Sequence, residues 1–221
     1  MPFPTIAEIE AAHKRISPYI HRTPILTSKS INEISGAEIY FKCENFQKIG
    51  AFKIRGASNA ILQLDDNTEA VATHSSGNHA QAVAFAAKIK GMKAYIVMPE
   101  TAPKIKVKAV KGYGAEVIFC AANQAAREST LNEVVKKTGA VFIHPYDNKE
   151  VICGLASAAK EVIEDTPPLD FLLAPVGGGG LLAGTALSTH YLSTNTQVVA
   201  GEPKGADDAF RSLQKGEILP S

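Results

Sequence analysis

Cysteine is scarce and scattered. Cys43, Cys120 and Cys153 are the only three in 221 residues, an odd number with no close pair. That excludes a disulfide framework and a zinc knuckle, and a reducing compartment is expected. A charge surplus is also lacking. Lys and Arg number 23 against 22 Asp and Glu, a formal net charge of +1, which argues against nucleic acid or an anionic membrane as the main partner. The N-terminal MPFPTIAEIEAAHKR has no apolar h-region, so no secretory leader is read there. Residues 171–201 contain no Asp, Glu, Lys or Arg, and outside the glycine run they are rich in Ser, Thr and Asn. Pro175 and four successive glycines break that stretch, and a membrane span is rejected. A soluble, cytoplasmic protein is the expectation.

What is present is enough apolar material for a core. The chain is 45% hydrophobic and 20% charged, which excludes the disordered classes, and its length suits one large or two small domains. Thr5 followed by Glu8 reads as a capping box opening a helix that ends near Pro18. Residues 39–43 read as a short strand. From residue 70 a regular alternation begins. Strands are predicted at 70–73, 94–98, 116–120 and 140–144, with helices at 78–90, 103–111 and 124–137 between them. A helix at 149–164, a strand at 171–176, a helix at 181–192 and a strand at 197–201 follow. Short apolar strands alternating with helices mean βαβ units and a parallel sheet, the α/β class.

Ligands in open parallel sheets bind beyond the carboxyl ends of strands. Three places fit that rule: residues 73–79, residues 176–180, and Gly201-Glu202 with the nearby Asp207 and Asp208. In the second, Gly177, Gly178, Gly179 and Gly180 follow a strand and open a helix. Such a loop lets several N–H groups face one phosphate at a positive helix end. The competing reading is a tight strand–helix turn. A P-loop is excluded, because no Gly-Lys-Ser/Thr follows. A further segment, GAFKIRGA, places Lys53 between Phe52 and Ile54. Burial among apolar groups lowers a lysine pKa and frees the amine to attack an aldehyde; alone, such a lysine is usually a snorkelling surface residue. A phosphate cradle and a reactive amine together point to pyridoxal 5′-phosphate (PLP).

GAFKIRGA, THSSGNHAQA and PVGGGGLLAG, in this order, resemble the fold-type II PLP enzymes, in their serine/threonine dehydratase and serine racemase branch. The resemblance covers essentially the whole chain. It implies a tryptophan synthase β-like fold of two open, twisted parallel sheets with flanking helices and the cofactor in an interdomain cleft. Residues 47–148 would form a smaller α/β domain inserted into a larger one made of 1–46 and 149–221. It also implies roles for residues. Lys53 matches the Schiff-base lysine, which moves the α-proton. Gly177 through Gly180 match the phosphate loop. Ser75, Ser76, Gly77 and Asn78, with His79 beside them, match the loop that grips the substrate carboxylate. Asn78 would also meet the cofactor's phenolic oxygen, and Ser76 stands where racemases keep the base of the opposite face. Helix capping is the competing reading for Ser76 and Asn78. Phe46 would lie near the pyridine ring, with core packing as its alternative.

The resemblance extends to a divalent-cation site for Mg²⁺, Ca²⁺ or Mn²⁺ on Glu202, the Ala206 carbonyl and Asp208; the alternative is a surface helix beginning near Asp207. It implies a homodimer acting on L-serine, L-threonine or another 3-hydroxy amino acid, by elimination or racemisation. His74 and His79 flank the Ser75–Asn78 loop without metal-ligand spacing, and a core or rim histidine is the expected reading of each; His13, His21, His144 and His190 carry no signal. Two departures stand out. Cys153-Gly154-Leu155-Ala156-Ser157 replaces the family's Ala-Gly-Gln-Gly-Thr. Family members also run beyond residue 221 to the residue that faces the pyridine nitrogen, so a fragment, a split protein or a degenerate copy is expected. Another fold-type II enzyme of the cysteine synthase kind, a non-catalytic module and a generic nucleotide-binding domain are the rival classes.

Overall fold

The computed structural model describes residues 3–219. Its centre is a four-stranded, all-parallel sheet in the order β5-β4-β3-β6. The strands are β3 (Ala70–His74), β4 (Lys93–Pro99), β5 (Glu116–Cys120) and β6 (Val141–Phe142). Side chains alternate across a strand, so one sequence feeds two cores. Val71, Ile96 and Met98 join the core under α3 (Lys53–Leu62), α4 (Asn78–Lys90) and α5 (Lys104–Gly112). Ala70, Ala72 and Val97 face the other way, onto Leu131 and Val134 of α6 (Gln124–Thr138).

The remaining elements flank that sheet. Thr5 caps α1 (Ile6–Ile16) with the reciprocal Thr5–Glu8 bonds that its sequence signature predicts. A two-residue antiparallel pair, β1 (Ile25–Leu26) with β2 (Phe41–Lys42), encloses α2 (Lys29–Ser35). Two 3-10 turns, Glu44–Phe46 and Lys48–Gly50, lead into α3. After β6 come α7 (Lys149–Asp165), β7 (Phe171–Pro175), α8 (Gly180–Leu192), β8 (Gln197–Gly201) and α9 (Asp208–Lys215), with β7 and β8 paired in parallel as a second sheet. Among the described residues no helix is long and apolar enough to cross a membrane.

Small residues let α7 carry the fold. A Cβ on Gly154 would run into the backbone of α3 at Arg55 and Gly56, and one on Gly184 of α8 would lie 2.7 Å from the Ala156 nitrogen. The unusual Leu155 is fully buried in the main core, and Ser157 accepts a hydrogen bond from Arg55. The departure in this helix thus comes with its own close packing.

Two predicted strands are shorter than expected, for a local reason. Pairing in β6 stops at Phe142 because the Ile143 carbonyl is taken by side chains, although its amide still donates to Ala72. The strand read at 39–43 contracts to Phe41–Lys42, the length of its single partner.

Candidate active site

Four residues joining β6 to α7 bring the three motifs together. The Ile143 carbonyl accepts from His79 Nε2 at 3.0 Å and from the Thr73 hydroxyl at 2.9 Å. The Pro145 carbonyl accepts from Lys53 Nζ at 2.7 Å. The Tyr146 ring lies so close on Gly178 that a Cβ there would fall inside it, and a Cβ on Gly180 would come within 3.0 Å of the Tyr146 Cβ. One short segment therefore touches the Ser75–His79 stretch, the lysine and the glycine loop. It lies at the carboxyl end of a strand in a parallel sheet, where ligands bind.

Lys53 is the first residue of α3. Its amine is half-buried, and burial lowers its pKa below the ordinary 10.5. The positive end of α3 acts in the same direction, since it disfavours a cation at a helix start. The adjoining aromatic ring is that of Phe52, 5.4 Å from Nζ. Phe46 sits in the preceding 3-10 turn and is 57% exposed.

The Ser75–Asn78 loop runs from β3 into α4. Gly77 is the N-cap of α4 and makes no side-chain cap bond. The Gly77 amide donates to Ser75 Oγ at 3.2 Å, and the Ser75 amide to the Val97 carbonyl at 3.1 Å. Ser76 and Asn78 do not cap the helix, and among the described residues neither side chain makes a hydrogen bond. His79, in the first turn of α4, is buried, and that burial pushes its pKa down to about 3. It is therefore neutral at pH 7. A carbonyl can only accept, so Nε2 carries the proton and Nδ1 is an acceptor with no partner.

The glycine loop is open on its outer side. Gly179 takes a left-handed φ of 81° as the N-cap of α8, a conformation that suits glycine. A Cβ at Gly177 or Gly179 would meet no atom within 4 Å. Among the described residues the four glycine amides have no protein acceptor. A desolvated amine and a row of unengaged amides at a helix start fit a phosphorylated aldehyde such as PLP.

Behind the lysine lies a buried charge cluster that its sequence does not announce. Arg55 is fully buried, and all five of its N–H groups are engaged. It bonds Glu44 and Glu161 bidentately, each contact at 2.8 Å, and Ser157 at 3.0 Å. Glu161 also meets Lys42 at 2.7 Å and His13 at 3.3 Å. Burial alone would raise the Glu161 pKa; the bonds from His13, Arg55 and Lys42 hold it well below the carboxylate range. Two residues after Lys53, this cluster joins α3 to α1, β2 and α7. His13 and His144, which carry no signal in the sequence, both have partners: the His144 Nδ1 accepts from the Tyr146 and Asp147 amides.

The acidic segment behaves differently. The Glu202 carboxylate accepts from the Ala209 amide at 3.1 Å and the Phe210 amide at 2.9 Å, capping α9. Asp207 pairs with Arg211 at 2.7 Å. Among the described residues no three His, Cys, Asp or Glu side chains gather in a group that could hold a metal ion. As folded, the Glu202 carboxylate serves as a cap of α9, with one amide on each of its oxygens.

Comparison with known proteins follows the same lines. The profile of the family described as "Pyridoxal-phosphate dependent enzyme" matches residues 16–221. Serine racemase from Dictyostelium discoideum is 50% identical over 216 residues, covering 97% of this chain and 67% of that protein; its crystal structure superposes with a TM-score of 0.94. A beta-hydroxyaspartate dehydratase from Paracoccus denitrificans is 48% identical over 221 residues, covering 99% of this chain and 70% of that protein. The crystal structure of a threonine deaminase from T.th. is 43% identical with a TM-score of 0.94, covering 99% of this chain and 71% of that one. The chain thus spans about two thirds of the length of these relatives.

Proposed function

Since the chain belongs to the family of pyridoxal-phosphate dependent enzymes, we propose that it converts 3-hydroxy amino acids such as L-serine and L-threonine to a 2-oxo acid and ammonia. The observation that carries this reading is the segment 143–146, which ties the Lys53 amine, the Ser75–His79 loop and the glycine loop into one site. The relatives named a threonine deaminase and a beta-hydroxyaspartate dehydratase support it.

The bound cofactor supplies an aldehyde for the amine and a ring that accepts electrons from the α-carbon. The protein's part is then as follows. The amides of Gly177 through Gly180 hold the phosphate. The first-turn N–H groups of α4 hold the substrate carboxylate. Lys53, desolvated and poorly basic, takes the proton from the α-carbon. Loss of the 3-hydroxyl as water and the return of one water on release of ammonia balance the conversion of serine to pyruvate. Neutral Pro145 and Ile143 carbonyls orient the amine and the imidazole without adding charge.

A second activity, amino-acid racemisation, is supported by Ser76. Its hydroxyl makes no hydrogen bond among the described residues, and it stands in the loop opposite Lys53 in the family pattern. A proton returned from Ser76 instead of Lys53 gives the D-amino acid. The relative named serine racemase accords with it.

A smaller domain at 47–148, a homodimer and a cytoplasmic location complete the reading. A divalent cation on Glu202, the Ala206 carbonyl and Asp208 belongs to the same reading, since each Glu202 oxygen accepts one amide and keeps a further lone pair, and no step is routed through it. The test is to incubate the full chain with PLP and L-serine or L-threonine, and to follow 2-oxo acid and D-serine. Formation of either product is expected. Bound cofactor with no product of either kind overturns the proposal.

A further inference from the structure

We infer that His144 is a positioning residue for the Lys53 amine, holding the peptide unit that carries the Pro145 carbonyl only while its own Nδ1 is free of a proton. The inference rests on the reading of Lys53 as the amine that takes up PLP.

One peptide unit is hydrogen-bonded at both ends. Its oxygen, that of Pro145, accepts from Lys53 Nζ at 2.7 Å. Its N–H, that of Tyr146, donates to His144 Nδ1 at 3.3 Å, and the next amide, that of Asp147, donates to the same atom at 2.8 Å. A peptide unit is planar, so the direction of its oxygen follows that of its N–H. Bonds at the two ends of one amide also polarise each other. His144 therefore sets where the amine is held.

The residue type takes the argument further. Accepting from amides two and three residues on is the usual work of Asn, Asp, Ser or Thr in turns. A histidine does it only as the neutral tautomer with the proton on Nε2. Once protonated, Nδ1 becomes a donor facing two donors, and both bonds are lost. The ring is held edge-on between Phe142 and Tyr146, with centroids 5.5 and 4.7 Å away. The charged and titratable groups facing the imidazole are Asp147 in its own loop, His74 of β3, His79 of α4 and Lys53 of α3. The glycine loop lies within residues 171–201 and brings no Asp, Glu, Lys or Arg. Burial lowers the His144 pKa below the ordinary 6.5; Asp147 opposes this, and His74 and Lys53 reinforce it. The peptide unit is thus held at neutral pH and released in acid.

The test follows capture of added PLP by the full chain stripped of cofactor, read as the rate at which yellow colour appears. Wild type, His144→Asn and His144→Leu are compared. The Asn side-chain oxygen can accept the same two amides and does not titrate, whereas Leu accepts neither. Dividing the wild-type rate by the His144→Asn rate cancels the titration of Lys53 and of PLP. That ratio should stay within about threefold of one above the ordinary His value and fall by up to about tenfold per pH unit below the folded one. His144→Leu should be slower by roughly tenfold at neutral pH. A role in stability alone produces no such acid limb. A second readout is amide NMR: the Tyr146 and Asp147 resonances should titrate with the His144 ring in the wild type and lose that titration in His144→Asn. A ratio that stays flat down to about pH 5, or capture by His144→Leu as fast as by the wild type, overturns the inference while the lyase reading stands. The expected pH limb without turnover of any amino acid overturns the lyase reading and upholds the role of His144. No colour in any of the three chains overturns both.

Discussion

The Lys53 Nζ donates to the Pro145 carbonyl at 2.7 Å, a contact spanning 92 residues of chain. Its neighbour Tyr146 covers Gly178, so the amine and the glycine loop share one two-residue bridge. A carbonyl partner holds the amine in place without stabilising its charge as a carboxylate would. Burial can then keep its proton affinity low.

The first prediction concerns this bridge. Lys53→Ala should fold, and should fail to form the yellow complex when PLP is added. Absorbance after gel filtration, with borohydride reduction and mass mapping of the adduct, checks it. A pyridoxyl group on any other lysine of the wild type shows that the amine has been misassigned.

Gly178→Ala probes the other end. The new methyl would enter the space of the Tyr146 ring, and overpacking of this kind costs about 1–3 kcal/mol. The ring must move, so PLP affinity should fall by roughly tenfold or more. Tyr146→Ala in the same chain should restore most of the stability. Gly177→Ala, where a Cβ meets no atom, should leave stability unchanged and affect only cofactor affinity. Denaturant titration and a PLP binding isotherm separate the two effects.

How much of this can be read beforehand depends on the range of the interaction. The helix at 78–90 and the strands at 116–120 and 197–201 have the observed limits, because local periodicity and Gly or Asn breaks define them. The three motifs are also visible, since each is a run of special residues next to a strand end or a helix start. The α3 helix starting at Lys53 is not, because Gly50 and Gly56 lie near the ends of GAFKIRGA and no side-chain N-cap announces its start. Tyr146 looks like an ordinary loop residue until the fold sets it against Gly178. Arg55 reads as one more charge, and its partners Glu44 and Glu161 lie 11 and 106 residues away. Such pairings carry no local pattern. The strand-like end of β6, followed by His144-Pro145-Tyr146, is the one available hint, as the carboxyl end of a parallel strand.

The Arg55 cluster gives a stability prediction. Glu161→Gln removes one charge from a pair that is 0% and 1% exposed. Removing one partner of a buried pair costs roughly 3–5 kcal/mol, and urea unfolding at pH 7 should show a loss of that size. The sign with pH follows from the Glu161 pKa, which is held below its ordinary 4.5. Its contribution is complete above that ordinary value and disappears as pH falls through the lower folded value. The difference between wild type and Glu161→Gln should therefore be constant from pH 7 to about pH 5 and shrink only in stronger acid.

His79 controls a separate, milder window. Its pKa is pushed from 6.5 to about 3 by burial, so the unfolded chain binds a proton there that the folded chain refuses. Between those two values stability must fall with acid, by up to about 1.4 kcal/mol per pH unit from this group. Above 6.5 neither state carries the proton and the contribution is flat. His74 and His144 are also lowered by burial, so the total slope mixes three groups. Substitution by Gln, whose amide can still donate to the Ile143 carbonyl, isolates one of them. His79→Gln should lose part of the stability slope between about pH 6.5 and 4.5 while Glu161 stays ionised. Unfolding free energies measured at half-unit steps across that interval decide the matter. An unchanged slope would mean that His79 is as free to take a proton in the folded chain as in the unfolded one, contrary to its burial against Ile143.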